Sequence, residues 1–274
     1  MQPLVSVITP SYMQGAYIRH CIESVRTQSY HFVEHLIFDA GSTDETESVV
    51  RAYEGRYQLQ YQSEPDRGQA HAINKGLDQA KGDIICWLNS DDAFQHPEVL
   101  TEVVALFASH PEIDVISGGG IFVSEEGKPL AEIPVETGLS QLRYAKRTCL
   151  TLQPSTFWRR NDIRLDEALH YAFDWKYWLD LLRADKQFLA VPNQWSQYRI
   201  HQNAKTQQDL AARKKEVLLV NRYANNGPIQ LLWNQLVYRL FLLAERRQWP
   251  ALKRAVNFVN RALYKLSGGM IYST

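Results

Sequence analysis

Four short apolar runs in the first hundred residues each end in a polar cluster, and helical spacing fills the gaps between them; few folds accommodate that order. Leu4-Val5-Ser6-Val7-Ile8 reads as a buried strand stopped by Pro10, and Ile18, Cys21, Ile22 and Val25 then fall at i, i+3, i+4 and i+7 of a helix. His35-Leu36-Ile37-Phe38 is a second strand ending at Asp39. Ser42-Thr43-Asp44-Glu45 matches a capping box, so a helix is expected with Ser42 as N-cap and Glu45 three residues on. A strand over Leu59 to Gln62, a helix from about Ala70 to Ala80 closed by Gly82, and a strand over Ile84 to Leu88 complete the series. The βαβαβαβ order predicts an α/β fold with a Rossmann-like, mostly parallel sheet flanked by helices.

Open α/β sheets bind ligands beyond the carboxyl ends of their strands. Thr9-Pro10-Ser11-Tyr12, Asp39-Ala40-Gly41-Ser42, Glu64-Pro65-Asp66-Arg67-Gly68 and Asn89-Ser90-Asp91-Asp92 all fall there, so four strand ends should converge on one crevice. Leu100, Val103, Val104 and Phe107 mark a further helix. Val115 to Val123 reads as a strand interrupted by Gly118-Gly119-Gly120, a run that allows close approach of a ligand or backbone. Residues 124–150 read as a mixed loop with a short helix. Past Asp209 the pattern is helical, broken at Gly227-Pro228 and Pro250.

Cys21, Cys86 and Cys149 lie far apart without C-x-x-C spacing, which argues against a disulfide framework or structural zinc and for a reducing compartment. With neither a signal-like N-terminus nor an apolar run of roughly 18 to 20 residues, a cytoplasmic location is expected. Net charge is zero, yet residues 228–274 are strongly basic. An anionic partner is expected for that tail, a membrane face or a phosphorylated acceptor, and nucleic acid is not.

Asp91 and Asp92 follow the apolar Ile84-Ile85-Cys86-Trp87-Leu88. Adjacent carboxylates at a buried strand end repel each other and lose hydration, a cost that a divalent cation with phosphate oxygens relieves. Mg²⁺ or Mn²⁺ with a nucleoside diphosphate is the natural guest; the plainer role is to cap the turn.

Five segments then occur in a telling order: Val5-Ser6-Val7-Ile8-Thr9-Pro10-Ser11-Tyr12, Asp39-Ala40-Gly41-Ser42-Thr43-Asp44, Glu64-Pro65-Asp66-Arg67-Gly68-Gln69, Asn74-Lys75-Gly76 and Leu88-Asn89-Ser90-Asp91-Asp92. Together they resemble the family 2 glycosyltransferases of the GT-A fold. The resemblance implies a GT-A domain over residues 1–208, with a nucleotide-sugar half (1–92) and an acceptor half (93–208), followed by a C-terminal helical extension over 209–274. It implies Asp39 as base or ribose contact, Thr9, Pro10, Tyr12, Asn89 and Asp91 as further nucleotide-sugar contacts, and Asp91 and Asp92 at the metal. Two positions depart from the family pattern: Ala40 replaces the second acid of Asp-Asp-Gly-Ser, and Asn89 replaces the first acid of Asp-x-Asp.

The pattern continues in Gln153-Pro154-Ser155-Thr156-Phe157-Trp158-Arg159-Arg160 and in Leu165 to Trp175. Such enzymes place a carboxylate at the start of a helix below the acceptor, and Asp174 fits, because Trp175, Trp178, Leu179 and Leu182 follow at helical spacing. Its ordinary role there would be an N-cap. Asp180 is the substitute candidate. Tyr198 to Thr206 resembles the segment that closes over the donor, so His201 is expected at the metal or the diphosphate, its plainer role being a polar loop histidine, and Arg199 and Lys205 at the diphosphate. Arg67 and Lys75 are further diphosphate candidates, although exposed basic side chains are usually just solvated.

The implied reaction is an inverting transfer from a nucleoside-diphosphate sugar to a saccharide or lipid-linked acceptor, with Asp174 as general base and a divalent metal assisting. The resemblance implies a bacterial-type polysaccharide or glycoconjugate pathway. A sugar nucleotidyltransferase is disfavoured because Thr9-Pro10-Ser11-Tyr12 lacks a Gly-rich phosphate loop. A non-catalytic glycan- or nucleotide-sugar-binding module is disfavoured by the presence of Asp91, Asp92 and Asp174 together. In the tail, Leu232, Trp233, Leu236, Val237, Leu240, Phe241 and Leu243 form an apolar helix face. Such a face most often packs on the protein's own core; with these basic residues it also suits a peripheral position on the inner membrane face.

Overall fold

The computed structural model describes residues 2–133, 135, 151–205, 209–224, 228–247, 249 and 255 of the 274. The predicted alternation is present: β1 (Val5–Ser11), α1 (Gly15–Arg26), β2 (Val33–Asp39), α2 (Thr46–Arg51), β3 (Leu59–Ser63), α3 (Gln69–Gln79) and β4 (Ile84–Trp87). These four strands pair in parallel in the order β3-β2-β1-β4.

Beyond β4 the sheet is mixed. β8 (Thr156–Arg159) lies antiparallel between β4 and β6 (Val115–Val123), and β9 (Phe188–Arg199) runs parallel to β6 and antiparallel to β5 (Ala93–Phe94). β7 (Pro129–Ile133) pairs with β6 as a hairpin, within the segment read from sequence as loop. The short helix expected before residue 150 lies outside the described residues. The remaining helices are α4 (Val99–Ser109), α5 (Phe173–Arg183), α6 (Leu210–Tyr223) and α7 (Pro228–Arg246).

Alternate residues of the central strands feed opposite cores. Val5, Val7, Ile84 and Cys86 pack with Cys21 and Val25 of α1 and Val99, Leu100, Val103 and Phe107 of α4. Ile8, Ile85 and Trp87 pack with α3, with Trp175, Tyr177, Trp178 and Leu181 of α5, and with Val220 and Ala224 of α6. Both faces are covered, which explains the continuous apolar runs. Because α6 belongs to that second core, residues 210–224 pack with the domain rather than apart from it.

Two local expectations are corrected. β1 does not stop at Pro10 but runs to Ser11, with Pro10 opposite Phe38. Leu88 donates to the Ile8 carbonyl on the β4 side, where pairing then ends, so the missing N–H of Pro10 falls where no acceptor waits. Nor does Ser42 cap a helix. α2 starts at Thr46, and the Ser42 hydroxyl is taken by Asp39 Oδ1 at 2.5 Å. Asp44 replaces it as the local organiser, accepting from Thr46 N at 3.0 Å and from Gly15 N at 2.9 Å.

The glycine run does not interrupt β6; it admits β9. A Cβ on Gly118 would meet Trp195 Cε3 at 2.5 Å and the Asn193 carbonyl at 2.8 Å, and one on Gly120 would meet the Ser196 carbonyl at 2.6 Å. The register between β6 and β9 shifts at this run. The approaching group is therefore backbone and indole of this chain.

Candidate active site

The ends of β1, β2 and β3 form one wall. Asp39 is buried and accepts from the backbone N–H of Gly41 and Ser42, the Ser42 hydroxyl and the Ser63 hydroxyl, which holds the loop after β2 in place. Thr9 lies wholly buried, with its hydroxyl 2.8 Å from His35 Nε2 and His35 Nδ1 2.7 Å from the Tyr57 hydroxyl. Burial pushes His35 down to about 3, so it is neutral. Pro10 is also buried, whereas Tyr12 is 62 % exposed at the rim.

The acidic turn after β4 is the polar centre. Asp92 is buried; its Oδ1 accepts from Arg199 N at 3.2 Å and its Oδ2 from Asn89 Nδ2 at 3.0 Å. Burial and then the neighbouring Asp91 push its pKa well above the carboxylate range. Asp91 is less enclosed, and its Oδ2 lies 3.1 Å from His201 Nε2. The His201 ring is buried against Tyr17, centroids 4.5 Å apart, and its Nδ1 has no hydrogen-bond partner.

Asn89 has a use that an aspartate could not serve. Its amide nitrogen donates to Asp92 and to Gln153 Oε1, while its oxygen accepts from Gln69 Nε2 at 2.8 Å. A carboxylate here would add a third negative charge and lose both donors. Arg199 is also held within the protein: Nε donates to the Asp91 carbonyl, Nη1 to the carbonyls of Ser124 and Glu125, and Nη2 lies 2.6 Å from His20 Nδ1. Its guanidinium ties the acidic turn to the β6–β7 hairpin.

Across the crevice, Asp174 lies in the first turn of α5, where Ala172 occupies the N-cap. Ala172 takes the N-cap position itself, while Asp174 Oδ1 accepts from Trp175 N at 2.6 Å, so part of the capping work expected of Asp174 as a plain alternative remains with it. Lys205 reaches toward it: Nζ donates to Gln69 Oε1 at 3.0 Å and sits 5.0 Å from the centre of the Phe173 ring. Burial lowers its pKa to about 8 against the pull of Glu216, Asp174 and Asp66. Arg67 pairs instead with Glu167 at 2.5 Å, and Lys75 with Glu64 at 2.7 Å, at the outer edge. Asp180 is engaged by Lys176 and the Tyr223 hydroxyl, and so serves the α5–α6 packing.

Sequence reasoning passed over Gln69, Gln153, Tyr17 and Glu216. Only Gln69 and Gln153 carried a signal, since both stand in quoted motifs; the others are ordinary helix residues until the fold brings them in.

Among the described residues no three His, Cys, Asp or Glu side chains cluster as a complete metal site. The groups present nonetheless fit an incomplete one. Asp91 offers a partly accessible oxygen beside the His201 imidazole nitrogen, Asp92 is a second carboxylate buried next to it, and Mg²⁺ or Mn²⁺ customarily completes its shell with phosphate oxygens and water.

The sequence profile of Glycosyl transferase family 2 matches residues 6–163, and the chain belongs to that family. An uncharacterized glycosyltransferase of Rickettsia felis is 30 % identical over 193 residues, 66 % of this chain and 32 % of that protein. The glycosyltransferase GlyG of Streptococcus pneumoniae is 32 % identical over 121 residues, 43 % of this chain and 39 % of that one. The chain thus spans about a third of the length of these relatives. Among solved structures, S. aureus TarS 1-349 in complex with UDP-GlcNAc superposes with a TM-score of 0.67 at 20 % identity, covering 90 % of this chain and 73 % of that one. The mannosyltransferase PcManGT from Pyrobaculum calidifontis, in complex with GDP-Man and Mn²⁺, gives 0.64 at 18 % identity, covering 98 % and 77 %. At these identities the likeness shows the GT-A fold.

Proposed function

We propose that the chain transfers a sugar from a nucleoside-diphosphate sugar to a hydroxyl of a saccharide or lipid-linked acceptor, with inversion at the anomeric carbon. The observation that carries the reading is one polar chain across the crevice. It runs from Asp92 through Asn89 and Gln69 to Lys205, whose ammonium feels the charge of Asp174. In this reading the acidic turn and the candidate base serve one site.

Asp174 accepts the proton of the attacking hydroxyl, and the nucleoside diphosphate leaves from the opposite face in a single displacement. Lys205 supplies positive charge beside the departing phosphates. Asp91 and His201 would hold a divalent ion, which when bound would supply positive charge for the leaving diphosphate. Asp39 and the loop it organises receive the base or ribose, with Thr9 and Pro10 as buried floor and Tyr12 at the rim. Relatives named as glycosyltransferases and solved GT-A neighbours carrying UDP-GlcNAc or GDP-Man with Mn²⁺ support the donor class and the metal. Product release from a panel of UDP- and GDP-sugars, with the anomeric configuration read by NMR, tests it. A product with retained configuration overturns the single displacement, and no turnover across the panel overturns the donor class.

The location we propose is peripheral, on an anionic membrane face. Leu232, Leu236 and Leu243 are exposed along α7, together with Arg239 and Arg247, while Val237 and Ala244 face inward. An apolar stripe flanked by arginines suits a headgroup boundary. Among the described residues no helix is long and apolar enough to cross a membrane.

A further inference from the structure

We propose that Glu216, on the C-terminal helix α6, is a positioning residue for the reaction: it holds the segment that delivers Asp174. The inference rests on the reading of Asp174 as base.

Glu216 is buried, and its carboxylate accepts three successive backbone N–H groups from another element: His170 at 2.8 Å, Tyr171 at 2.6 Å and Ala172 at 3.0 Å. Ala172 is the N-cap of α5, and Asp174 stands two residues further on. Within the first turn Asp174 accepts from Trp175 N at 2.6 Å, and the N–H groups just before it are met by Glu216, a residue more than forty positions away, which adds a second negative charge at the positive end of the helix. A carboxylate receiving three N–H bonds fixes a loop far more tightly than neutral caps do, because each bond is charge-assisted.

Glu216 also acts on Lys205 through its charge. Among acidic groups it does most to offset the burial of the Lys205 ammonium, ahead of Asp174 and Asp66, and the rings of Tyr171 and Phe173 flank that ammonium at 5.8 and 5.0 Å. One carboxylate therefore fixes the backbone from which Tyr171 and Phe173 project and adds to the acidic charge that favours the Lys205 ammonium. Val220 and Ala224, on the same helix, are buried beside Trp87 and Trp178, so the carboxylate is held on a packed element.

The role predicts a split that a simple stabilising cap does not. In the full-length chain, Glu216→Ala should lower kcat by about ten- to a hundredfold, the cost of misplacing a reacting group by about an ångström, while nucleoside diphosphate affinity with Mn²⁺ stays near wild type. Glu216→Gln keeps an oxygen for two of the three N–H groups and should fall between, and it serves in its place if the alanine variant does not fold. Turnover is read on whichever UDP- or GDP-sugar the wild type hydrolyses fastest with Mn²⁺, and each variant is compared with Asp174→Asn and with the double variant. Wild-type kcat in folded Glu216→Ala overturns the proposal, as does a double variant slower than Asp174→Asn by the full factor of Glu216→Ala. Wild-type turnover in Asp174→Asn overturns the base assignment instead. Non-additive losses with unchanged nucleotide affinity establish that Glu216 acts through Asp174.

Discussion

His201 Nε2 stands 3.1 Å from Asp91 Oδ2, although 110 residues separate the two in the chain. The contact joins the end of β9 to the turn after β4, next to the buried Asp92. Asp91→Asn and His201→Ala should each weaken Mn²⁺-dependent binding of UDP or GDP by at least about tenfold, the lower range for lost metal-site partners. Binding measured by calorimetry in EDTA should already be weak in wild type and change little in the variants. Equal affinity with and without EDTA refutes the metal assignment.

Asp174→Asn should leave nucleotide affinity unchanged and lower kcat by about 10² to 10⁴, the usual contribution of a general base. Because asparagine keeps the Oδ1 that accepts from Trp175 N, little stability should be lost with it. Steady-state kinetics and thermal melts on one preparation decide both points.

Lys205 gives the site a pH dependence of definite sign. Burial favours the neutral amine, so the ammonium discharges near pH 8 instead of at the ordinary lysine value of 10.5. Nucleoside diphosphate affinity should therefore hold from pH 6 to 7.5 and fall by roughly tenfold by pH 9.5, the worth of one charge-assisted bond. Lys205→Met should bind weakly throughout and lose that slope. A slope unchanged in the variant assigns the titration elsewhere.

The exposed stripe of α7 can be altered without touching a core. Leu232→Glu with Leu236→Glu should abolish co-sedimentation with phosphatidylserine vesicles while the melting temperature stays within a degree or two, since both side chains are exposed. Retained sedimentation removes the membrane reading.

Gly118→Ala should destabilise the fold by about 1–3 kcal/mol in urea titration, an overpacking cost, because the added methyl meets the Trp195 indole and the Asn193 carbonyl. A neutral effect would mean that β9 yields at its register shift.

Much of the first half was legible in the sequence because its signals are local. Apolar runs, helical spacing and the polar clusters between them fall on the observed strands, helices and strand ends. The capping box misled because its serine had a stronger tertiary partner in Asp39. Pro10 misled because a strand rule ignores which side of the ladder is empty. The second half was harder, since β8 and β9 reach their places through pairings between residues far apart in the chain. Glu216 was invisible for the same reason: nothing within α6 announces three amides arriving from the approach to α5.

The antiparallel β8 welds the two halves at β4, where Ile84, Ile85 and Cys86 pair with Arg159, Trp158 and Phe157. The expected division at residue 92 falls between β4 and the strand that pairs with its edge. A chain cut there would bare an apolar strand edge with its N–H and C=O groups unmet, an invitation to pair with another molecule. Residues 1–92 should accordingly aggregate when expressed alone, and chimaeras that exchange this segment between relatives must carry β8 along with it.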